Sequence, residues 1–89
     1  MTKHTSHPDI IKRLKRAEGH LKSIITMLEE GRPCLDITQQ LQAVESAVVN
    51  AKKTLVHDHI DHCLELAVGA DSSQARASIN EFKEITKYL

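Results

Sequence analysis

The chain of 89 residues is long enough for one small domain, residues 1–89, whose core would be marginal without oligomerisation, a metal or disulfides. Its 12 basic and 12 acidic residues cancel, which argues against binding to nucleic acid or membranes by positive charge alone, and an aromatic content of 2% argues against single-strand recognition by stacking. Two cysteines are too few for a secreted disulfide framework and no apolar run approaches the ~20 residues of a membrane span, so we expect a cytoplasmic protein with no membrane partner.

The first predicted helix begins after Ser6, which forms a capping-box pattern with Asp9 three residues later. Residues 1–7 are expected to form a flexible N-terminal arm. Gly31 ends the helix because glycine turns readily into the left-handed conformation. The apolar residues of this helix recur in alternating steps of four and three and share one face; they are Ile10, Leu14, Ala17, Leu21, Ile24 and Leu28.

Positive charge is concentrated in this first helix. Residues 1–22 hold six basic and two acidic residues, a net charge of +4, and the remaining 67 residues therefore carry −4. Such asymmetry indicates a segment that binds a polyanion, although a solvated helix face with no partner has the same appearance. The central basic residues of the segment are Lys12, Arg13, Lys15 and Arg16.

The second predicted helix opens at Pro33 and meets neither glycine nor proline before Gly69. Roughly 36 residues at ~1.5 Å each give a rod of about 54 Å, whereas a compact chain of this length is about 31 Å across. Another copy of the chain is therefore expected to cover part of the rod. The apolar stripe of this helix is Cys34, Ile37, Leu41, Val44, Val48, Ala51 and Leu55.

A third helix is expected after a cap at Asp71 or Ser72, with Ala75, Ile79 and Phe82 on its apolar face. That face continues to Ile85 (or Thr86) and Leu89. The short connections predict antiparallel neighbours, with the third helix folding back or reaching a partner chain. The fold class is therefore all-α: a three-helix subunit with one long central helix, in a homo-oligomeric bundle.

Cysteine and histidine cluster near the end of the second helix. His59 and Cys63 are four residues apart and share one face, a spacing suited to two ligands of one metal, and His62 lies one step off that face. Cys34 is 29 residues from Cys63, about 43 Å along a continuous helix, so the two can neither form a disulfide nor share an ion within one chain. In an antiparallel pair of chains, Cys34 of one copy would meet His59 and Cys63 of the other.

Two thiolates and one imidazole form a soft ligand set, which favours Cu(I), with Zn(II) next, over ions that prefer oxygen. A fourth ligand from His4 or His7 would suit tetrahedral Zn(II) or help to expand the coordination of Co(II) or Ni(II). The plainer interpretation is that Cys34 only fills a core and that the histidines are structural or solvent-facing.

Three segments resemble the CsoR/RcnR/FrmR family of bacterial repressors. Residues 13–20, Arg-Leu-Lys-Arg-Ala-Glu-Gly-His, are similar to that family's R-L-x-R-x-x-G-Q segment. Residues 29–37 resemble the region around its ligand cysteine, and residues 59–63, His-Ile-Asp-His-Cys, resemble its second ligand cluster. The likeness covers about residues 7–65.

The resemblance implies an antiparallel dimer assembling as a dimer of dimers, a homotetramer, which binds operator double-stranded DNA and leaves it when an effector binds between chains. Cys-His-Cys at Cys34, His59 and Cys63 is the family's copper(I)-sensing pattern, whereas His4 and His7 are departures toward its nickel/cobalt sensors. Formaldehyde sensors of the family have proline at position 2, where this chain has Thr2. The family's DNA-binding residues map onto Arg13, Lys15 and Arg16, with Lys12 beside them and Lys52 or Lys53 as further candidates.

Three classes of function remain open at this point. The resemblance favours a repressor that releases DNA on binding Cu(I), with Ni(II), Co(II), Zn(II) or formaldehyde as alternative effectors. A small helical metal carrier without DNA binding is an alternative of another class. An enzyme is the least favoured class, because no nucleophile–base pair or phosphate loop stands out and a closed metal site leaves no position for substrate.

Overall fold

A computed structural model describes residues 6–69 and 72–89, and within them the chain folds into three α-helices with no strand. Helix α1 spans His7–Glu29, α2 spans Cys34–Gly69 and α3 spans Ser72–Ile85, followed by a 3₁₀ turn over Thr86–Tyr88. The all-α class and the long central helix are confirmed. His7, assigned to the arm from the sequence, is the first residue of α1, and His4 and Asp71 lie outside the described residues.

The turn between α1 and α2 has the form predicted from its glycine and proline. Gly31 has φ +67°, and its amide donates to the Leu28 carbonyl at 3.2 Å while the Arg32 amide donates to the Met27 carbonyl at 3.0 Å. These two bonds are the Schellman pattern that closes a helix C-terminus. The Pro33 carbonyl then accepts the Ile37 amide at 3.2 Å, which starts α2.

Residues Pro8–Lys52 form one compact unit, here called the hairpin unit, in which α1 packs against the first half of α2. Its core brings together Ile24, Ile37 and Val44, with Met27 beside them. Along each predicted stripe, the buried residues lie seven positions apart in the chain. They are Ile10, Ala17 and Ile24 on α1, and Ile37, Val44 and Ala51 on α2. The intervening positions Leu14, Leu21, Leu28, Leu41 and Val48 are 43–59% exposed.

Residues 53–69 and 72–89 belong, together with Ser6 and His7, to a second compact unit, here called the C-terminal unit. Val56, Cys63 and Ser78 are buried in it, and the Ser6 hydroxyl donates to the Asp58 carboxylate at 2.5 Å. The predicted apolar face of the third helix is wrong at two positions. Leu89, after the helix, is 65% exposed, and Ile79 is 48% exposed whereas its neighbour Ser78 is 6% exposed. The helix is rotated so that a small polar residue, and not the large apolar one next to it, lies inside.

No helix within the described residues is long and apolar enough to cross a membrane.

Candidate metal centre

The predicted pair of ligands on α2 meets an acidic side chain from α3. One ligand atom each of His59, Cys63 and Glu81 lies within 4.8 Å of the others. The Glu81 Oε2 atom is 3.6 Å from His59 Nε2 and 3.8 Å from Cys63 Sγ. His59 and Cys63 come together because they are four residues apart on one helix, and Glu81 reaches both of them from α3.

Cys63 is the buried member of this cluster. Its thiol is 2% exposed and donates a weak hydrogen bond to the Glu81 carboxylate. Burial raises the pKa of the Cys63 thiol above its ordinary value, and Glu81 raises it further through its negative charge and by accepting this hydrogen bond. The cluster therefore holds a protonated thiol at neutral pH, and a metal must displace that proton, because the thiolate is the ligand.

The other candidate ligands are spread over the chain. The ring of His62 lies with its centroid 6.4 Å from that of His59, at an interplanar angle of 48°, so it is a neighbour of the cluster. Cys34 is the first residue of α2, in the hairpin unit, and its side chain is exposed. His7 starts α1 and is exposed.

Glu81 is the residue that sequence reasoning missed. It is exposed overall, and its place beside an apolar face gave no reason to prefer it to Glu84, the other acidic residue of α3. Its spacing gave no indication in advance. Glu81 follows Ser78 by three residues and so lies on the same side of α3, but the apolar pattern predicted Ile79, and not Ser78, as the inward residue.

The predicted DNA-binding residues lie where a partner can reach them. Lys12, Lys15 and Arg16 are exposed on α1, and Arg13 is half-buried with its Nε atom 2.8 Å from Asp9 Oδ2. Lys52 and Lys53 are exposed on α2.

Comparison with known proteins places this geometry in context. A family model described as metal-sensitive transcriptional repressor matches residues 6–88. The chain is 37% identical to the copper-sensing transcriptional repressor CsoR of Mycobacterium ulcerans, with 88% of this chain and 65% of that protein covered, so it spans just under two thirds of that relative. It is 36% identical to the copper-sensing transcriptional repressor CsoR of Bacillus subtilis, with 98% of this chain and 99% of that protein covered.

A further relative and a solved structure are also similar to this chain. The copper-sensing transcriptional repressor RicR of Mycobacterium tuberculosis is 40% identical, and the aligned region covers 75% of each chain. The structure of the nickel-responsive transcriptional regulator InrS superposes with a TM-score of 0.82 at 28% identity and covers 100% of this chain and 99% of that one.

Proposed function

The chain belongs to the metal-sensitive transcriptional repressor family, and from that premise we propose that it binds operator DNA and releases it when Cu(I) binds to Cys34, His59 and Cys63. The observation that carries the proposal is the His59–Cys63–Glu81 cluster, where a thiol and an imidazole lie together at the spacing of metal ligands. The protein would act in the cytoplasm as a repressor and not as an enzyme.

The donor atoms fit Cu(I). Sulfur and imidazole nitrogen are the soft ligands that this ion prefers, and three of them suit trigonal coordination. His59 and Cys63 come from one chain, and the exposed thiol of Cys34 is available to a second copy lying antiparallel to the first. The copper-sensing relatives support the choice of ion.

Glu81 connects the candidate metal site on α2 to helix α3. The Cys63 thiol donates a hydrogen bond to Glu81, and this bond joins α2 and α3 at that point. Ligation requires the thiolate, which can no longer donate and repels the carboxylate. If a metal were held there, this hydrogen bond between α2 and α3 would be lost, and we expect the packing of the two helices to change.

The DNA-binding surface would be formed by Lys12, Arg13, Lys15 and Arg16, with Lys52 and Lys53 as further phosphate contacts. Four copies of the +4 segment would make a surface whose affinity for DNA falls steeply with salt. Bound metal must then weaken DNA binding by the same factor by which bound DNA weakens metal binding, because coupling between two sites is reciprocal. A coupling of about 3 kcal/mol corresponds to a roughly 150-fold loss of DNA affinity.

The test is an anaerobic titration of Cu(I) against a competing chelator, with the anisotropy of labelled DNA from upstream of the protein's own gene followed in the same sample. Wild type should release the DNA at one Cu(I) per subunit. Cys34→Ala and His59→Ala should bind the DNA as wild type does and no longer release it. His57→Ala, an exposed histidine two residues before His59, is the matched control and should still respond. Release by Cu(I) from either ligand variant would contradict the assignment.

Ni(II) is the second candidate effector, because the carboxylate in the cluster is a harder donor than thiolate and InrS is named as nickel-responsive. The same titration with Ni(II) separates the two ions. Release by Ni(II) that is lost in Glu81→Gln, together with no release by Cu(I), would favour nickel.

A further inference from the structure

An apolar pocket lies between α2 and α3 in the C-terminal unit, beside Cys63. Leu64 and Ile79 line it and are each about half exposed, so the pocket opens to the surface between two large apolar side chains. Its volume is about 280 Å³, and its full lining is Cys63, Leu64, Ser78, Ile79, Phe82 and Lys83. Apolar surface of this kind is stabilised when another apolar group covers it.

Among the large apolar residues that the structure describes, Leu35 is the most exposed, at 68%. It lies in the first turn of α2 and directly follows Cys34. It stands outside the apolar stripe of that helix, so packing of the stripe against another copy does not by itself cover it. The side chain of Leu35 is therefore left for a contact of a different kind.

The two leucines occupy equivalent places on α2, because each directly follows a cysteine. The two Cys-Leu pairs, residues 34–35 and 63–64, are 29 residues apart, which is about eight turns of an α-helix, so both pairs project from the same side of α2. A twofold axis between two antiparallel helices carries each side of one helix onto the same side of the other. A pairing that brings Cys34 to Cys63 of a second copy therefore also brings Leu35 to Leu64 of that copy.

We propose that Leu35 of a second copy fills the apolar pocket beside Cys63 and thereby positions Cys34 of that copy at the metal site. The inference rests on the proposed function, in which Cys34 joins His59 and Cys63 from another chain, and it adds the residue that fixes this pairing. The pocket has room for a leucine side chain, because an apolar cavity of about 150 Å³ already holds a benzene molecule. Adjacent Cα atoms are only about 3.8 Å apart, so a seated Leu35 leaves Cys34 little freedom of position.

The first test traps the contact in the absence of metal. In a background of Cys34→Ser and Cys63→Ser, Leu35→Cys combined with Ile79→Cys should form a covalent dimer under diamide, because Ile79 lines the pocket and a disulfide needs Cα atoms within about 7 Å. Leu35→Cys combined with Asn80→Cys is the matched control, since Asn80 is exposed next to Ile79 and lies outside the pocket. The control, and Leu35→Cys alone, should form severalfold less dimer. Equal trapping in the three proteins, or none in any of them, would overturn the proposal.

The second test removes the side chain of Leu35. Leu35→Ala should lower the Cu(I) affinity at least about tenfold, because burying a leucine side chain is worth more than one factor of ten in an equilibrium constant. At full Cu(I) occupancy its Cys34 thiol should remain open to alkylation, whereas wild type should protect that thiol. Leu35→Met keeps the volume of the side chain and should restore both properties. The fold of one chain should be unaffected, because Leu35 is exposed in it.

Leu28→Ala is the matched control for the second test. It removes the same side chain from an exposed position in the stripe of α1, outside the pocket. The variants are compared at protein concentrations where sedimentation velocity shows each of them associated to the same extent as wild type. Leu28→Ala should then keep both the Cu(I) affinity and the protection of Cys34. Equal losses in Leu28→Ala and Leu35→Ala would show a general weakening of association and overturn the proposal.

A third measurement asks whether a small molecule fills the pocket instead. Benzene added to associated wild type should leave the NMR signals of Ile79 and Phe82 in place, and it should shift them in Leu35→Ala, where the pocket is open. Benzene that binds beside these two residues in associated wild type would overturn the proposal in favour of a small apolar ligand.

The trapping experiment contains neither ligand cysteine and no metal, so its result does not depend on the effector. Wild type that keeps its DNA when Cu(I) is added, while the Leu35→Cys and Ile79→Cys pair is trapped, would overturn only the proposed function. Normal release of DNA by Cu(I), with no trapping above the controls, would overturn only the role of Leu35.

Discussion

One carboxylate oxygen contacts both of the candidate ligands on α2. Glu81 Oε2 lies 3.6 Å from His59 Nε2 and 3.8 Å from Cys63 Sγ. Because Glu81 raises the pKa of the Cys63 thiol, it sets how readily that thiol gives up the proton that a metal must replace. The affinity for a metal that binds thiolate should therefore rise with pH, and Glu81 should set the pH range over which it rises.

Replacing Glu81 by glutamine should lower the pKa of Cys63. The substitution removes the negative charge that disfavours the thiolate and keeps the size of the side chain. The measurement is the ultraviolet absorbance of the thiolate against pH, in a Cys34→Ser background where Cys63 is the single cysteine. Glu84→Gln in the same background is the control, because Glu84 lies on the same helix and pairs with Lys87 at 3.1 Å. A Cys63 titration that does not move, or that moves equally in the control, would show that Glu81 has no such effect.

Two glycines of different backbone conformation give a prediction at the level of the helix. Gly31 has φ +67°, so Gly31→Ala should cost about 1–2 kcal/mol in the free energy of unfolding. Gly19 lies inside α1, and a Cβ atom built there meets no described atom within 4 Å. Gly19→Ala should therefore stabilise the chain by about 0.5–1 kcal/mol. Urea unfolding at one fixed protomer concentration measures both. A stabilising Gly31→Ala would contradict the role of Gly31 in ending α1.

Helix limits could be predicted from the sequence because single residues enforce them. Gly31 and Pro33 define the first turn, and α2 runs uninterrupted to Gly69 as the absence of breakers predicted. The closeness of His59 and Cys63 followed from their spacing alone. Glu81 could not be predicted, because its position depends on the rotation of α3 about its own axis. Apolar periodicity favoured Ile79 as the inward residue, whereas packing buries Ser78 and brings Glu81 to the cluster.

The apolar stripes are only half covered within one chain. In the hairpin unit every seventh position is buried, and Leu14, Leu21, Leu28, Leu41 and Val48 between them stay 43–59% exposed. Two packed helices can cover only the part of each stripe that faces the other helix. Exposed apolar residues at regular helical spacing are typical of a surface that packs against another chain. We therefore expect self-association, and the antiparallel dimer and homotetramer remain the predicted assemblies.

A variant that no longer self-associates should also bind metal more weakly if Cys34 of the site comes from a second copy of the chain. Leu41→Glu places a charge in the exposed stripe and should shift the protein to smaller species in sedimentation velocity. It should also lower Cu(I) affinity in a manner that depends on protein concentration, because the third ligand then arrives only on association. Gln42→Glu adds the same charge at the adjacent exposed position and should leave both properties close to wild type. A dissociated Leu41→Glu that binds Cu(I) as tightly as wild type would assign the site to a single chain, with Glu81 as the group nearest to completing it.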